Sequence, residues 1–316
     1  MGRKRKGRAI DGVLLLDKPL GMSSNHALQR AKRLFFAAKA GHTGSLDPLA
    51  TGVLPVCFGE ATKFSQFLLD ADKTYEATFV LGEKTSTGDA EGEVLEDIDA
   101  SELSEAQVAS AMTRFMGEID QVPPMYSALK QNGQPLYKLA RQGIEVEREA
   151  RQVEILEYNL LAFRPGQRAE LDVEVHCSKG TYIRSLAEDL GEALEVGGHV
   201  SALRRTFTGG FEIEQCITLD ELSDERGEGR AETLDHHLLP VDTPVDHLPK
   251  ITLPADSAHY FRLGNPVMDA QVYRTGEEGD MVRVFCESGQ FLGVATLDEG
   301  RVAPKRLLAS ATSETN

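Results

Sequence analysis

One carboxylate in this chain stands in a setting suited to chemistry. The run GHTGSLDPLATGVLP, residues 41–55, spaces three glycines and two prolines around Asp47, and Asp47 directly precedes Pro48. A residue before proline is pushed out of the helical region, so this side chain projects from a rigid, extended turn. A fixed, projecting carboxylate is what nucleophilic or base chemistry needs. An isolated Asp-Pro pair only begins a turn; the whole run is what marks this one. Other arrangements fall away. Cys57, Cys177, Cys216 and Cys286 are dispersed, with no C-x-x-C pair and no histidine at zinc-site spacing, and read as reduced structural thiols. His236 and His237 are adjacent, so neither helix nor strand presents them as an i, i+4 chelating pair. GEKTST lacks the glycines of a phosphate-binding loop. A glycosidase would need a second carboxylate partnered with Asp47, and none is identifiable. No metal or organic cofactor is implied.

The elements that must hold Asp47 are legible around it. Residues 12–16 form a short apolar strand, followed by a Pro/Gly turn and Ser23-Ser24, either of which can cap a helix. Ala27, Leu28, Ala31, Leu34 and Phe35 then recur at helical spacing, with Arg30, Lys32 and Arg33 on the other face. A second helical stretch is expected around residues 61–69. KTYEATFVLG alternates as a strand, and EKTSTGDAEG is a loop by composition. Ser104 and Gln107 stand at capping-box spacing before a helix that ends at Gly117. Residues 150–163 and 169–177 have strand character. Ile183, Leu186, Ala187, Leu190 and Leu194 mark one face of a helix entered through Ser178-Lys179-Gly180. From 222 to 250 the pattern gives way to charge and to Pro240, Pro244 and Pro249, the composition of a linker. Beyond it a short helix near 256–263 and strands at 281–286 and 291–296 indicate a small β-rich domain.

At 316 residues the chain suits one large domain and one small. Apolar residues at 41% and charged ones at 27% place it among soluble globular proteins. The N-terminus carries a basic run, Arg3 to Arg8, expected to be a disordered arm over residues 1–9; no apolar stretch has signal-peptide or membrane-span length, which points to the cytoplasm. The net charge of −16 opposes a nucleic-acid partner. Binding depends, however, on where the cations sit, and acid is concentrated in residues 220–246 and in the C-terminal third.

The run at 41–55 resembles the catalytic motif of the TruB family of pseudouridine synthases. LDKPLGMSS (16–24), KTYEATFVLG with TSTGDAEG (73–92), residues 123–143, CSKGTYIRSLAEDLG (177–191) and HVSALRRT (199–206) resemble further elements of that family, in the same order. The resemblance covers roughly residues 10–220. It implies an α+β pseudouridine synthase fold on a mixed, mainly antiparallel sheet. Residues 10–247 would form the catalytic domain, with an RNA-binding insertion at about 104–143, and residues 248–316 a small PUA-like domain. It implies isomerisation of the T-loop uridine of tRNA, with Asp47 as the essential aspartate, Tyr75 stacking on the flipped uracil and helping a proton leave C5, and Arg184 pairing with Asp47. His42 and Leu203 match residues that meet the T loop and the target base. Lys18, Lys130 and Lys179 are further candidates for the substrate, as are Lys138, Arg141, Arg204 and Arg205 for phosphates; Lys18 also reads as a support of the site. Arg262, Lys305 and Arg306 are the candidates of the C-terminal domain.

These roles have physical sense. A uridine within a folded loop must be extruded and its face covered by something aromatic. An ionised carboxylate beside an anomeric carbon is the tool of a retaining glycosidase, and a guanidinium partner favours its charged form. Whether Asp47 attacks C1′, adds to the base or removes the 2′ proton to give a glycal is open in the sequence, and the family resemblance leans to the glycal. The partner expected is the T arm of tRNA, bound by a monomer, with affinity falling as salt rises. A guide-dependent synthase and an RNA chaperone are the rival readings.

Overall fold

The computed structural model describes residues 7–309, apart from 132 and 271. A mixed sheet of ten strands forms its centre, and eight run in the spatial order Ile217–Thr218, Gly12–Lys18, Ala50–Phe58, Gly198–Thr208, Lys73–Leu81, Ala169–Cys177, Arg151–Arg164, Gly117–Gln121. Two neighbouring pairs on this path are parallel and the rest antiparallel, the arrangement expected of the α+β class. The strand Ala50–Phe58 is buried along nearly its whole length, as a central apolar run should be. Ala169–Cys177 alternates between buried and half-exposed residues, as a strand covered on one side does.

Helices close both flanks. Ile183–Ala193 buries Ile183, Leu186, Ala187 and Leu190 against the middle of the sheet, together with Val108, Ala111 and Met112 of Glu105–Met112. Ser24–Leu34 buries Ala27, Leu28 and Ala31 beside Leu14, Leu54 and Phe58. Ser23 caps it, accepting from the His26 amide. The helical stretch expected at 61–69 is broken into a 3-10 turn, Gly59–Lys63, and a short helix, Ser65–Asp70.

Three segments differ from expectation. Residues 222–250 are not a free linker: Leu222 and Leu234 lie in the core, Leu239 pairs with Val13, and Val245 is fully buried. Proline and charge there mark an irregular chain that is nonetheless packed. The stretch 105–121 is no appendage, because its helix is part of the main core and its strand Gly117–Gln121 completes the sheet beside Arg151–Arg164. What projects is a smaller piece with a two-stranded turn at Lys130–Gln131 and Gln134–Pro135 and a short helix, Leu136–Ala140. Arg8, counted with the basic arm, is held by an ion pair to Asp235 and by pairing with Ala37; residues 1–6 lie outside the described residues.

The C-terminal unit is a five-stranded sheet, ordered Lys250–Leu253, Met281–Cys286, Phe291–Asp298, Arg301–Leu307, Val267–Met268, with the helix Ala255–Arg262 on it. It docks through an aromatic cluster: Phe291 lies 5.3 Å from both Phe64 and Phe285, with Val245 and Val294 around them. Among the described residues no helix is long and apolar enough to cross a membrane.

Candidate active site

The loop bearing Asp47 is fixed from several sides. It feeds the strand Ala50–Phe58, and Gly21 donates from its amide to the Pro48 carbonyl at 2.8 Å. Ser24 is buried, and its hydroxyl donates to the Leu46 carbonyl at 3.0 Å while accepting from the Leu46 amide at 2.7 Å. Arg205 secures the other end of the loop, donating to the carbonyls of Val53 at 2.8 Å and Gly44 at 3.0 Å. That reach depends on Gly52, which lies opposite Arg205 in the parallel pairing. Gly52 adopts a φ of +103°, and a Cβ there would stand 2.1 Å from the Arg205 carbonyl oxygen.

Arg184 enters from the first turn of Ile183–Ala193. Its guanidinium lies 2.9 Å from Asp47 Oδ2 and 3.5 Å from Asp89 Oδ2, and donates to the carbonyls of Thr87 at 2.9 Å and Tyr126 at 2.6 Å. One buried cation thus ties together the aspartate loop, the 85–92 loop and the 123–128 segment. Gln121 fixes the helix start by donating to the Tyr182 carbonyl and accepting from the Tyr182 amide. The Arg184 side chain is 6% exposed and that of Asp47 47%, so the carboxylate is recessed yet open toward a ligand. Burial, with the Asp89 carboxylate, pushes the Asp47 carboxyl above its usual range, against the pull of Arg184 and Lys18.

A cleft of about 310 Å³ opens over this pair. Asp47, Arg184, Tyr75 and Leu203 all line it. Tyr75 and Leu203 come from neighbouring strands, Tyr75 opposite Arg205 and Leu203 between Ala50 and Ala77. Burial raises the Tyr75 phenol above its ordinary value, and the nearby Arg205 guanidinium opposes that rise. Ser178, Thr181, Tyr182, Ser127 and Lys73 complete the walls. None of these was singled out from sequence, although 127, 178, 181 and 182 lie inside the quoted motifs and Lys73 opens KTYEATFVLG. Burial lowers the Lys73 ammonium to about 8, and it donates to the carbonyls of Leu69 and Ala71.

The remaining candidates stand elsewhere. Lys18 is fully buried and donates to the carbonyls of Pro19 and Met22, so it braces the turn beside the aspartate loop and cannot touch a substrate. Burial takes its ammonium down to about 8, countered in part by Asp47. Lys179 is engaged in an ion pair with Asp70 at 2.8 Å, and Arg204 in one with Asp17 at 2.7 Å. Arg205 is the exception: although nearly fully buried and bonded to the aspartate loop, it lines the cleft beside Tyr75. His42 is absent from the cleft lining; its Nδ1 is buried with no partner among the described residues, and burial lowers its pKa. Lys130, Lys138 and Arg141 are exposed on the projecting piece. Arg262 bonds Gln290 within its own domain, while Lys305 and Arg306 line a larger cavity between the two units, which shares no residue with the cleft. Asp89, the second carboxylate nearest Asp47 through Arg184, is buried and does not line the cleft. His236 and His237, set aside because they are adjacent, both direct Nε2 at Glu225.

Residues 32–183 match the model of the TruB family pseudouridylate synthase N-terminal domain. Residues 184–246 match the tRNA pseudouridylate synthase B C-terminal domain, and 249–308 the C-terminal part of pseudouridine synthase II TruB. A tRNA pseudouridine synthase B from Saccharophagus degradans is 66% identical over 310 residues, 98% of this chain and 99% of that one. Its counterpart from Pseudomonas aeruginosa is 53% identical over 308 residues, 97% and 99% of the two chains. A crystal structure of a Cbf5-Nop10-Gar1 complex contains a chain of the same fold, with a TM-score of 0.68 and 28% identity, covering 94% of this chain and 84% of that one. The chain belongs to the TruB family of pseudouridine synthases.

Proposed function

We propose that this enzyme converts the T-loop uridine of tRNA, position 55 in tRNA numbering, to pseudouridine, with Asp47 as the acting carboxylate. The observation that carries the reading is the Asp47–Arg184 pair at 2.9 Å, set in a cleft whose walls include Tyr75 and Leu203. A flipped nucleotide would enter with its base between these two side chains and its sugar at Asp47. Arg184 helps keep Asp47 ionised and aims it. The N1–C1′ bond breaks, the uracil turns within the cleft, C5 bonds to C1′, and the C5 proton leaves with help from Tyr75. Every atom except that exchanged proton stays with the nucleotide, so the step is an isomerisation that consumes no co-reactant.

The relatives named tRNA pseudouridine synthase B, matched nearly end to end, support a tRNA substrate. The exposed Lys130, Lys138 and Arg141 are suited to contacts along the T-arm backbone. The test is tritium release from C5-labelled uridine in an unmodified tRNA transcript, native protein against Asp47→Asn. Release that maps to the T loop and disappears in the variant, with RNA binding intact, is the expected result. Binding without release in the native protein would leave a chaperone.

A further inference from the structure

The segment after the central sheet doubles back on itself. The helix Leu219–Arg226 ends at Gly227, and the chain returns through the 3-10 turn Ala231–His237, with Leu222 and Leu234 in one core. Where the two meet, Glu225 Oε2 lies 2.6 Å from His237 Nε2 and Glu225 Oε1 lies 3.5 Å from His236 Nε2. The imidazoles are 4.0 Å apart at 39°, and one ligand atom from each of the three residues falls within 4.8 Å of the others. His236 Nδ1 is 2.9 Å from the Thr233 carbonyl oxygen. A carbonyl only accepts, so that contact places a proton on Nδ1 and, in the neutral ring, leaves Nε2 a lone pair. In that tautomer the Nε2 lone pair and the Glu225 carboxylate face one another, and a cation placed between them would be held by both. An imidazole anchored through its other nitrogen to a backbone carbonyl is also how proteins orient metal-binding histidines.

We propose that Glu225, His236 and His237 bind a divalent transition-metal ion of the zinc type, a site separate from the catalytic cleft. Two imidazoles and a carboxylate supply three ligands, with water for the fourth position. Nitrogen donors favour zinc-like ions over magnesium or calcium. On binding, His237 takes the tautomer with its proton on Nδ1, so that the Nε2 lone pair now facing Glu225 Oε2 is free for the metal. The ion cross-links the helix end to the returning turn. That turn also carries Asp235 and Glu232, the partners of Arg8, so the cross-link fastens the chain's N-terminal approach as well.

The test uses the full chain without an affinity tag, stripped with chelator and titrated with zinc chloride by calorimetry, alongside thermal unfolding. One zinc ion per chain and a Tm raised by several degrees are expected, with no comparable response to magnesium chloride. His236→Ala, on a side chain 62% exposed, folds normally and loses affinity by about tenfold or more, as does Glu225→Gln. His237→Asn serves as a third variant on the other ring. Absence of saturable zinc binding, an equal response to magnesium, or undiminished binding in folded variants would overturn the proposal.

Discussion

Asp47 is pulled in two directions, since burial and Asp89 raise its pKa while Arg184 and Lys18 lower it, and the rise prevails. Chemistry needs the ionised form, so kcat/KM should fall as pH drops through a value above the ordinary carboxylate pKa of about 4. An acid limb at or below that value would show that the recess does not hold the carboxylate as described. For stability the sign is reversed. A carboxyl with a raised folded-state pKa contributes stability that is present below its unfolded pKa and is lost as pH rises through the folded value. At neutral pH the ionised Asp47 therefore opposes folding, and Asp47→Asn should abolish turnover with a Tm equal to or above that of the native protein. Tyr75 separates into ring and hydroxyl. Tyr75→Phe keeps the ring and should lower kcat by about 100-fold with KM little changed if the hydroxyl serves proton transfer. Tyr75→Leu removes the ring as well and should abolish turnover; full kcat in the Phe variant would exclude the hydroxyl from proton removal.

The start of the helix Ser24–Leu34 divides its work between two serines. Ser23 caps the helix, whereas Ser24 turns inward to both polar groups of Leu46. Adjacent serines look alike as capping signals, and only the neighbouring loop distinguishes them. Ser24→Ala leaves the Leu46 amide and carbonyl unpaired in a buried setting, which should cost about 1–3 kcal/mol. It also frees the loop one residue before Asp47, so kcat/KM should fall further than that of a surface Ser→Ala control. Thermal unfolding and initial rates on the same preparations check both; a drop in Tm without a drop in rate would show that Asp47 is held adequately by Gly21 and Arg205 alone.

At the scale of the molecule, the C-terminal sheet is joined to the catalytic domain by Phe64, Val245, Phe285, Phe291 and Val294. Phe291→Ala should cost about 3–5 kcal/mol and split calorimetric unfolding into two transitions, while turnover of a T-arm hairpin persists, because every wall of the cleft comes from residues 44–205. A single transition in the variant would place the coupling elsewhere. The sequence by itself determined the order of motifs, the class of fold and the presence of Asp47, Tyr75, Arg184 and Leu203. The helices and strands rest on local periodicity and Asp47 on its motif, whereas the class of fold and the places of Tyr75, Arg184 and Leu203 came from the family resemblance. Only the tertiary structure decided which cations are free. Lys179 is bound by Asp70, Arg204 by Asp17 and Arg8 by Asp235, each far away in the chain. Burial then took Lys18 out of reach of a substrate, whereas Arg205, also buried, keeps a place in the cleft wall. The same folding brought two adjacent histidines onto one carboxylate and turned an apparent linker into part of the core. A charge is neutralised or buried by whatever the fold sets beside it, and no short stretch of sequence carries that partner.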